Sequence, residues 1–254
     1  MRLALWQDHS PMGDQALAFA CIGSALRAAG AMGAAMLVLP EAFLPGYNHP
    51  TLAEMALRRT DTVFARIGAL CAASGCGLVL GYAERDGVTL FNAAIAFDRM
   101  GHVIAHYRKI QLYGPREKAL YTPGTRYTIF DLDGQKAAIL ICYDVEFASH
   151  VAALAAQGVT VVLVPTANME PFDHVVRHTV ATMAANHGVS IVYANYCGTE
   201  GDLTYVGGSL IAGPHGEILA QAGRYPALLI ADAPDRDPTR LSTQNTDFCA
   251  VVPH

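Results

Sequence analysis

A cysteine at the junction between two predicted elements is the first residue whose type and position could support chemistry. Cys142 follows the apolar run 137–141 and precedes a stretch typical of a helix. A cysteine at such a turn is exposed at the end of a sheet. It also lies near helix N-terminal N–H groups, which lower a thiol pKa and stabilise an oxyanion. A buried core cysteine, the commonest fate of an unpaired cysteine, is the alternative.

Two glutamates and a lysine could assist such a nucleophile. Glu41 directly follows the apolar run 37–40, where α/β sheets usually place their sites. Burial there would raise its pKa into the range of a general base, but taken alone it is more typical of a solvated loop. Lys109 ends a predicted strand, where it could stabilise an oxyanion or extend from the surface into solvent. Glu117 on its own indicates an exposed charge in a charged loop.

The ten histidines offer a different base, because a cysteine–histidine pair is the commoner way to activate a thiol. A hydrolase of that type would use His150 or His187. His174 and His178 are four residues apart and would share a helix face, as metal ligands can. No third ligand accompanies them in the pattern, so no metal is predicted. Neither a GxGxxG motif nor a P-loop is present, and no nucleotide cofactor is predicted.

Composition limits the class of protein and of partner. The chain has 254 residues, 52% of them hydrophobic and 15% charged, with a net charge of −5. This balance excludes a disordered chain, and the lack of a basic block predicts no nucleic-acid partner. No apolar run approaches the ~18 residues of a spanning helix, and none resembles a signal peptide, which predicts a cytoplasmic protein without a membrane partner. Six scattered cysteines predict reduced thiols.

The elements that must position these residues alternate along the chain. Some predicted connections are β-α-β crossovers and others are hairpins, so the chain is α/β with mixed sheets. The strands are too numerous for one open sheet, which favours two packed sheets with helices outside and an irregular tail at 234–254. Strands are predicted at 3–6, 36–39, 77–82, 91–97, 102–107, 127–132, 136–141, 159–164, 190–194, 207–212, 218–220 and 227–231, and helices at 16–33, 51–74, 147–157 and 172–187.

Three segments together resemble the catalytic blocks of the nitrilase superfamily of carbon–nitrogen hydrolases. They are LVLPEAFLPGY at 37–47, YRKIQLY at 107–113 and ILICYDVEF at 139–147, in the order glutamate, lysine, cysteine. The spacings of 68 and 33 residues between those three also match. The resemblance covers nearly the whole chain. It implies a single carbon–nitrogen hydrolase domain over 1–254, a four-layer α-β-β-α sandwich, and assembly into a homodimer or a larger homo-oligomer.

The resemblance also implies a mechanism and the residues that perform it. Cys142 would be the nucleophile and Glu41 the general base. Lys109 and the backbone N–H of Tyr143 would stabilise the oxyanion, and Glu117 would match the second glutamate of the superfamily. A small amide would react with water to give a carboxylate and ammonia through a cysteine thioester, with no metal or organic cofactor.

Within the superfamily, the segments 109–118, 165–168 and 193–195 are most similar to bacterial aliphatic and stereoselective amidases. Tyr143 stands where nitrilases proper typically carry tryptophan, and a nitrilase is the alternative. Thr182 and Ala185 depart from an arginine and a glutamate that members often carry on a helix after the cysteine block. A catalytically silent sensor or binding module on the same fold is a further alternative.

The substrate pocket is predicted from loops beside the catalytic blocks. The loop 168–172, with Asn168 at its start, should line one wall, and Phe43 and Tyr47 should line another. Core packing is the alternative for the aromatic residues. A pocket without an arginine favours neutral amides. Arg177 could supply a charge, which would make N-carbamoyl amino acids or ω-amides substrates.

Overall fold

Two six-stranded sheets form the centre of the structure, a computed structural model that describes residues 1–251. Strands are numbered along the chain. The first sheet contains β1 (Arg2–Gln7), β2 (Met36–Val38), β3 (Gly77–Asp86), β4 (Thr89–Phe97), β5 (Val103–Arg108) and β14 (Ala227–Asp232). The second contains β6 (Ile129–Leu132), β7 (Gln135–Ile139), β8 (Val161–Pro165), β9 (Ser190–Ala194), β12 (Leu210–Ala212) and β13 (Ile218–Gln221). A separate hairpin pairs β10 (Cys197–Glu200) with β11 (Leu203–Val206).

Each sheet is mixed, as the alternation of crossovers and hairpins predicts. The first has the order β14-β1-β2-β3-β4-β5, with β1, β2 and β3 parallel and the others antiparallel to their neighbours. The second has the order β13-β12-β9-β8-β7-β6, with β7, β8 and β9 parallel. In each sheet the parallel strands lie in the middle. Their C-terminal ends form the edge at which α/β proteins usually place their sites.

Helices cover the outer face of each sheet. α1 (Gln15–Ala31) and α3 (Thr62–Ser74) pack together against the first sheet, and α5 (Ala148–Ala156) and α6 (Val180–His187) pack together against the second. α1 begins after Asp14, whose carboxylate accepts a hydrogen bond from the Leu17 N–H and so caps the helix. The helices are α1 (Gln15–Ala31), α2 (Leu52–Met55), α3 (Thr62–Ser74), α4 (Gly114–Leu120), α5 (Ala148–Ala156), α6 (Val180–His187) and α7 (Gln244–Asp247).

The core consists of two clusters: one lies between the first sheet and α1 and α3, and the other extends from the inner face of the first sheet through the second sheet to α5 and α6. Met36 and Val38 of β2 face the second sheet, whereas Leu37 between them faces α1 and contributes to the same cluster as Ile22 and Leu26. All five side chains are fully buried. A strand covered on both faces reads as a continuous apolar run, which is the pattern of 36–39. The predicted α-β-β-α sandwich is therefore confirmed.

Two predicted helices are interrupted. The segment 51–74 forms α2 and α3, because Leu57 between them pairs with β3 through its backbone N–H and C=O. The segment 172–187 begins with a π-helical turn, Val175–Thr179, that leads into α6. α4 and the hairpin β10–β11 were not predicted from the sequence.

None of the helices within residues 1–251 has the length and apolar character that crossing a membrane requires.

Candidate active site

The C-terminal ends of three strands bring the sequence-predicted residues together. Glu41 follows β2 and Lys109 follows β5 in the first sheet, and Cys142 follows β7 in the second. Glu117 reaches the same place from α4. The two glutamates and the lysine are at most 2% exposed, while Cys142 keeps 9% of its surface accessible. The site therefore lies at the seam between the sheets, and Cys142 is the most accessible of the four residues.

Lys109 sits between the two glutamates. Its Nζ donates to Glu41 Oε1 at 2.6 Å and to Glu117 Oε1 at 2.8 Å. Burial alone would lower the pKa of Lys109, but the Glu117 and Glu41 carboxylates raise it well above its usual range. The ammonium therefore stays charged, because each partner offsets the cost of removing it from water.

Glu41 combines a raised pKa with an unoccupied oxygen. Burial raises the pKa of Glu41 to about 7, although Lys109 acts in the opposite direction. Its Oε1 accepts from Lys109 and from Asn92 Nδ2, the latter at 2.6 Å. Its buried Oε2 has no hydrogen-bond partner among the described residues. A carboxylate near neutrality with a free oxygen can accept a proton from a neighbouring group.

Glu117 is fully engaged in holding its neighbours. Its Oε1 accepts from Tyr47 Oη at 2.8 Å as well as from Lys109, and its Oε2 accepts from the Tyr113 N–H at 2.9 Å. Taken alone, its sequence position indicates an exposed charge, whereas the side chain is buried because α4 folds back over the site. With every oxygen occupied, this carboxylate is suited to positioning Lys109 and Tyr47.

Cys142 occupies a strained turn. It begins a 3₁₀ turn, Cys142–Glu146, and has a φ of 47°, in the left-handed region that residues other than glycine rarely adopt. Burial, followed by the charge of Glu41, raises the pKa of the Cys142 thiol well above its usual value. The expectation that helix N–H groups lower this pKa is wrong, because burial and the carboxylate outweigh them. The thiol is therefore protonated at rest and needs a base.

Asp144 holds this turn in place from within the core. Its Oδ2 accepts from the Ile141 N–H at 3.0 Å and from Tyr107 Oη at 2.8 Å, and its Oδ1 accepts from the Gln111 N–H at 2.7 Å. These three bonds tie the cysteine turn to β5 and to the segment after Lys109. Strain at Cys142 persists because this network fixes the surrounding backbone.

Replacement of Asp144 by asparagine tests that anchor. We expect Asp144→Asn to lower the free energy of unfolding by about 2 kcal/mol, because an amide NH₂ would face buried donors. Urea denaturation followed by circular dichroism measures the change. The matched control is Asp235→Asn, which removes an exposed carboxylate from the segment after β14. A loss no larger than that of the control would contradict the anchoring role.

A cavity of about 200 Å³ opens beside the thiol. The predicted Tyr47, Tyr143 and Asn168 all contribute to its wall, and so do two residues of the predicted loop 168–172. Tyr113, Glu146 and His174 were not predicted to line the cavity, although the place of Glu146 in the cysteine turn was a signal for it. The cavity is lined by Tyr47, Tyr113, Cys142, Tyr143, Glu146, Asn168, Met169, Phe172 and His174.

Two predicted pocket residues lie elsewhere. Phe43 is fully buried and stacks on Tyr196, with ring centroids 6.2 Å apart, so it belongs to the core. Arg177 lies on the π-helical turn, with 63% of its side chain exposed and its guanidinium paired with Asp173. Neither residue is part of the cavity wall. The structure therefore supplies no arginine to this cavity.

The histidine alternatives find no support in the geometry. His150 is engaged by Tyr127 Oη at 2.7 Å and by Gln111 Nε2 at 3.0 Å, and neither it nor His187 lines the cavity. Within residues 1–251, no three or more histidine, cysteine, aspartate or glutamate side chains are grouped so that they could hold a metal ion. His174 and His178 therefore have no third ligand among these residues. The Glu41 carboxylate is therefore the candidate base for the thiol.

The departures at Thr182 and Ala185 lie on α6, away from the cavity wall. Thr182 is exposed, and a side-chain atom added at Gly216 would come within 3.0 Å of the Ala185 methyl group. A glutamate at 185 would therefore crowd the turn between β12 and β13.

A larger groove of about 610 Å³, lined in part by Arg59, contains none of the four catalytic candidates.

The sequence is similar to those of several known proteins. A family model described as carbon–nitrogen hydrolase matches residues 2–237. An (R)-stereoselective amidase from Pseudomonas sp. is 30% identical over 84% of this chain and 77% of its own length. A nitrilase from Pyrococcus abyssi is 33% identical over 78% of this chain and 75% of its own length.

The fold matches solved amidase structures. The amidase from Nesterenkonia sp. AN1 superposes with a TM-score of 0.87 and 36% identity, covering 92% of this chain and 93% of that one. Structures of that amidase include a complex with butyramide. Variants of that amidase in which a glutamate is replaced by glutamine or leucine show acrylamide, or the acetamide moiety of fluoroacetamide, added covalently at the active-site cysteine.

Proposed function

The chain belongs to the carbon–nitrogen hydrolase family, the nitrilase superfamily that its motifs resemble, and from this premise we propose that it is an amidase. It converts a small amide and water to a carboxylate and ammonia through a thioester on Cys142. The observation that carries the proposal is the arrangement of the Cys142 thiol beside a cavity of about 200 Å³, with Lys109 hydrogen-bonded to Glu41 and Glu117 next to it. The covalent cysteine adducts of the Nesterenkonia amidase support it.

The first half of the reaction forms the thioester. Glu41 takes the proton of the Cys142 thiol as the sulfur attacks the amide carbonyl carbon. Lys109 and the backbone N–H of Tyr143 stabilise the negative charge that develops on the carbonyl oxygen. The tetrahedral species collapses when Glu41 delivers its proton to the departing nitrogen, so ammonia leaves and the acyl group remains on sulfur.

The second half releases the acid. Glu41, now ionised again, removes a proton from a water molecule that attacks the thioester carbonyl. The same lysine stabilises the second oxyanion, and the sulfur leaves with the proton that Glu41 returns. Glu117 acts by holding Lys109 and Tyr47, since its carboxylate accepts hydrogen bonds from both. The described residues supply every proton transfer in this cycle.

The pH profile reports on Glu41. We expect kcat/KM for a neutral amide to rise with pH through about 7, because burial raises the pKa of Glu41 to that value and only the ionised carboxylate accepts the thiol proton. Initial rates from about pH 5 to about pH 9 measure the profile. A flat profile across this range would contradict Glu41 as the base.

Ammonia release from purified protein tests the function. The panel consists of butyramide, benzamide, an N-carbamoyl amino acid and butyronitrile. We expect turnover of butyramide, with ammonia and butyrate formed in equal amounts. The N-carbamoyl amino acid should be a poor substrate, because the cavity wall contains no arginine or lysine.

Nitrile hydrolysis is the second candidate, because the relative from Pyrococcus abyssi is named a nitrilase. It would use the same four side chains. Release of ammonia from butyronitrile and not from butyramide would replace the amidase by this candidate.

The setting of the enzyme completes the proposal. We propose one catalytic domain over residues 1–254 and a homodimer or a larger homo-oligomer, as the superfamily resemblance implies, together with a cytoplasmic location. The free state of all six cysteines supports a reducing compartment. Light scattering coupled to size exclusion tests the dimer, which should have twice the mass of the chain.

A further inference from the structure

Glu146 is an ionisable side chain in the cavity wall that the proposed mechanism does not use. It ends the 3₁₀ turn that Cys142 begins, and its half-buried carboxylate lines the same cavity. Among the residues that the structure describes, no hydrogen bond or ion pair to this carboxylate is present, whereas Glu41 and Glu117 are both engaged. A carboxylate in this setting is available to a ligand.

The charges around the cavity are predominantly negative. Its nine lining residues include one carboxylate, one imidazole and no lysine or arginine. Behind the wall, the single charge of Lys109 faces two carboxylates. Burial raises the pKa of Glu146, while His174 and Lys109 act in the opposite direction. A cation entering the cavity would therefore be attracted and an anion repelled.

Cys142 and Glu146 lie close enough for one short substrate to reach both. A 3₁₀ turn rises ~2 Å per residue, so their backbones are separated by about 8 Å along its axis, and both residues line the same cavity. An acyl chain with two methylenes between its carbonyl carbon and an ammonium group is shorter than that separation, so both of its ends can stay within the cavity. The amide carbonyl would then lie at the sulfur while the ammonium meets the carboxylate.

We propose that Glu146 makes this enzyme selective for amides whose acyl chain carries a protonated amine. The inference rests on the proposed amidase function and names its substrate class. The carboxylate of Glu146 binds the ammonium, which orients the carbonyl toward Cys142, and it repels amides that carry a carboxylate at the same place. Tyr113, Tyr143 and Phe172 enclose the methylenes between the two ends.

Three amides of similar size separate charge from shape. They are 3-aminopropanamide, which is a cation near pH 8, butyramide, which is neutral, and malonamate, which is an anion. For the unmodified enzyme we expect kcat/KM to decrease in that order. In Glu146→Gln, the ratio of kcat/KM for the cation to that for butyramide should fall at least about tenfold, mainly through KM, because the lost interaction is a short-range charge pair.

Two further variants distinguish charge from a folding defect. Glu146→Asp keeps the carboxylate and should retain most of the preference for the cation. Glu54→Gln removes an exposed carboxylate from α2, outside the cavity wall, and should leave the ratio unchanged. Thermal melts of all variants report on folding.

Each outcome decides the inference. Turnover of butyramide with a ratio that Glu146→Gln does not alter would overturn the role of Glu146 and leave the amidase standing. A preference for malonamate over 3-aminopropanamide would do the same. Absence of turnover for all three amides would overturn the proposed function and, with it, this inference.

Discussion

Replacing Cys142 with alanine is expected to abolish ammonia release from butyramide, lowering kcat by at least about ten-thousand-fold. No other cysteine can substitute, since Cys142 is the one that lines the cavity and lies beside Glu41 and Lys109. Alanine fits the position without overpacking, so the loss reflects chemistry. Ammonia assays give the rate, and intact-protein mass spectrometry detects the acyl group on the unmodified enzyme during turnover.

The matched control is Cys249→Ala. Cys249 is exposed near the end of the described chain, so its removal should leave the rate unchanged. Circular dichroism spectra of both variants should overlay that of the parent protein. Retention of more than a few per cent of the parent rate in Cys142→Ala would show that the thiol is not the nucleophile.

Replacing Glu41 with glutamine should lower kcat/KM for butyramide by about a thousandfold or more, within the range attributed to positioned acid–base groups and their electrostatics. The amide oxygen of glutamine can still accept from Lys109 and Asn92, so the site keeps its shape. It cannot accept the thiol proton. The rise of activity through about pH 7 should therefore disappear together with the rate.

Steady-state rates across the pH range measure both effects. Glu54→Gln serves as the control again, because it makes the same chemical change on the surface of α2. If the activity of Glu41→Gln still rose with pH near neutrality, the pH dependence would belong to another group. An unchanged rate would remove Glu41 from the mechanism.

Glu41 and Cys142 could be predicted from the sequence because each directly follows an apolar run. Such runs form strands buried on both faces, and the residue after such a strand lies at the C-terminal edge of its own sheet, where α/β proteins usually place their sites. Lys109 follows an antiparallel neighbour, and the motif resemblance was needed to bring it to the same place. The two-sheet architecture could likewise be predicted from the number of strands.

Residues placed by packing between distant segments could not be predicted in this way. Glu117 has the sequence surroundings of an exposed loop, and its burial depends on contacts of α4 with Tyr47 and Lys109. Phe43 follows Glu41 closely, but it points into the core toward Tyr196 and away from the cavity. The hairpin β10–β11 did carry a signal, since Gly201-Asp202 is a typical two-residue turn between its strands.

The location of the site at the seam has a consequence for how the enzyme loses activity. Glu41 and Lys109 belong to one sheet and Cys142 to the other, so neither layer contains a working set of groups by itself. A small slip of one layer over the other would separate base from nucleophile while every strand kept its hydrogen bonds. Activity therefore depends on the alignment of the two layers as well as on the integrity of each.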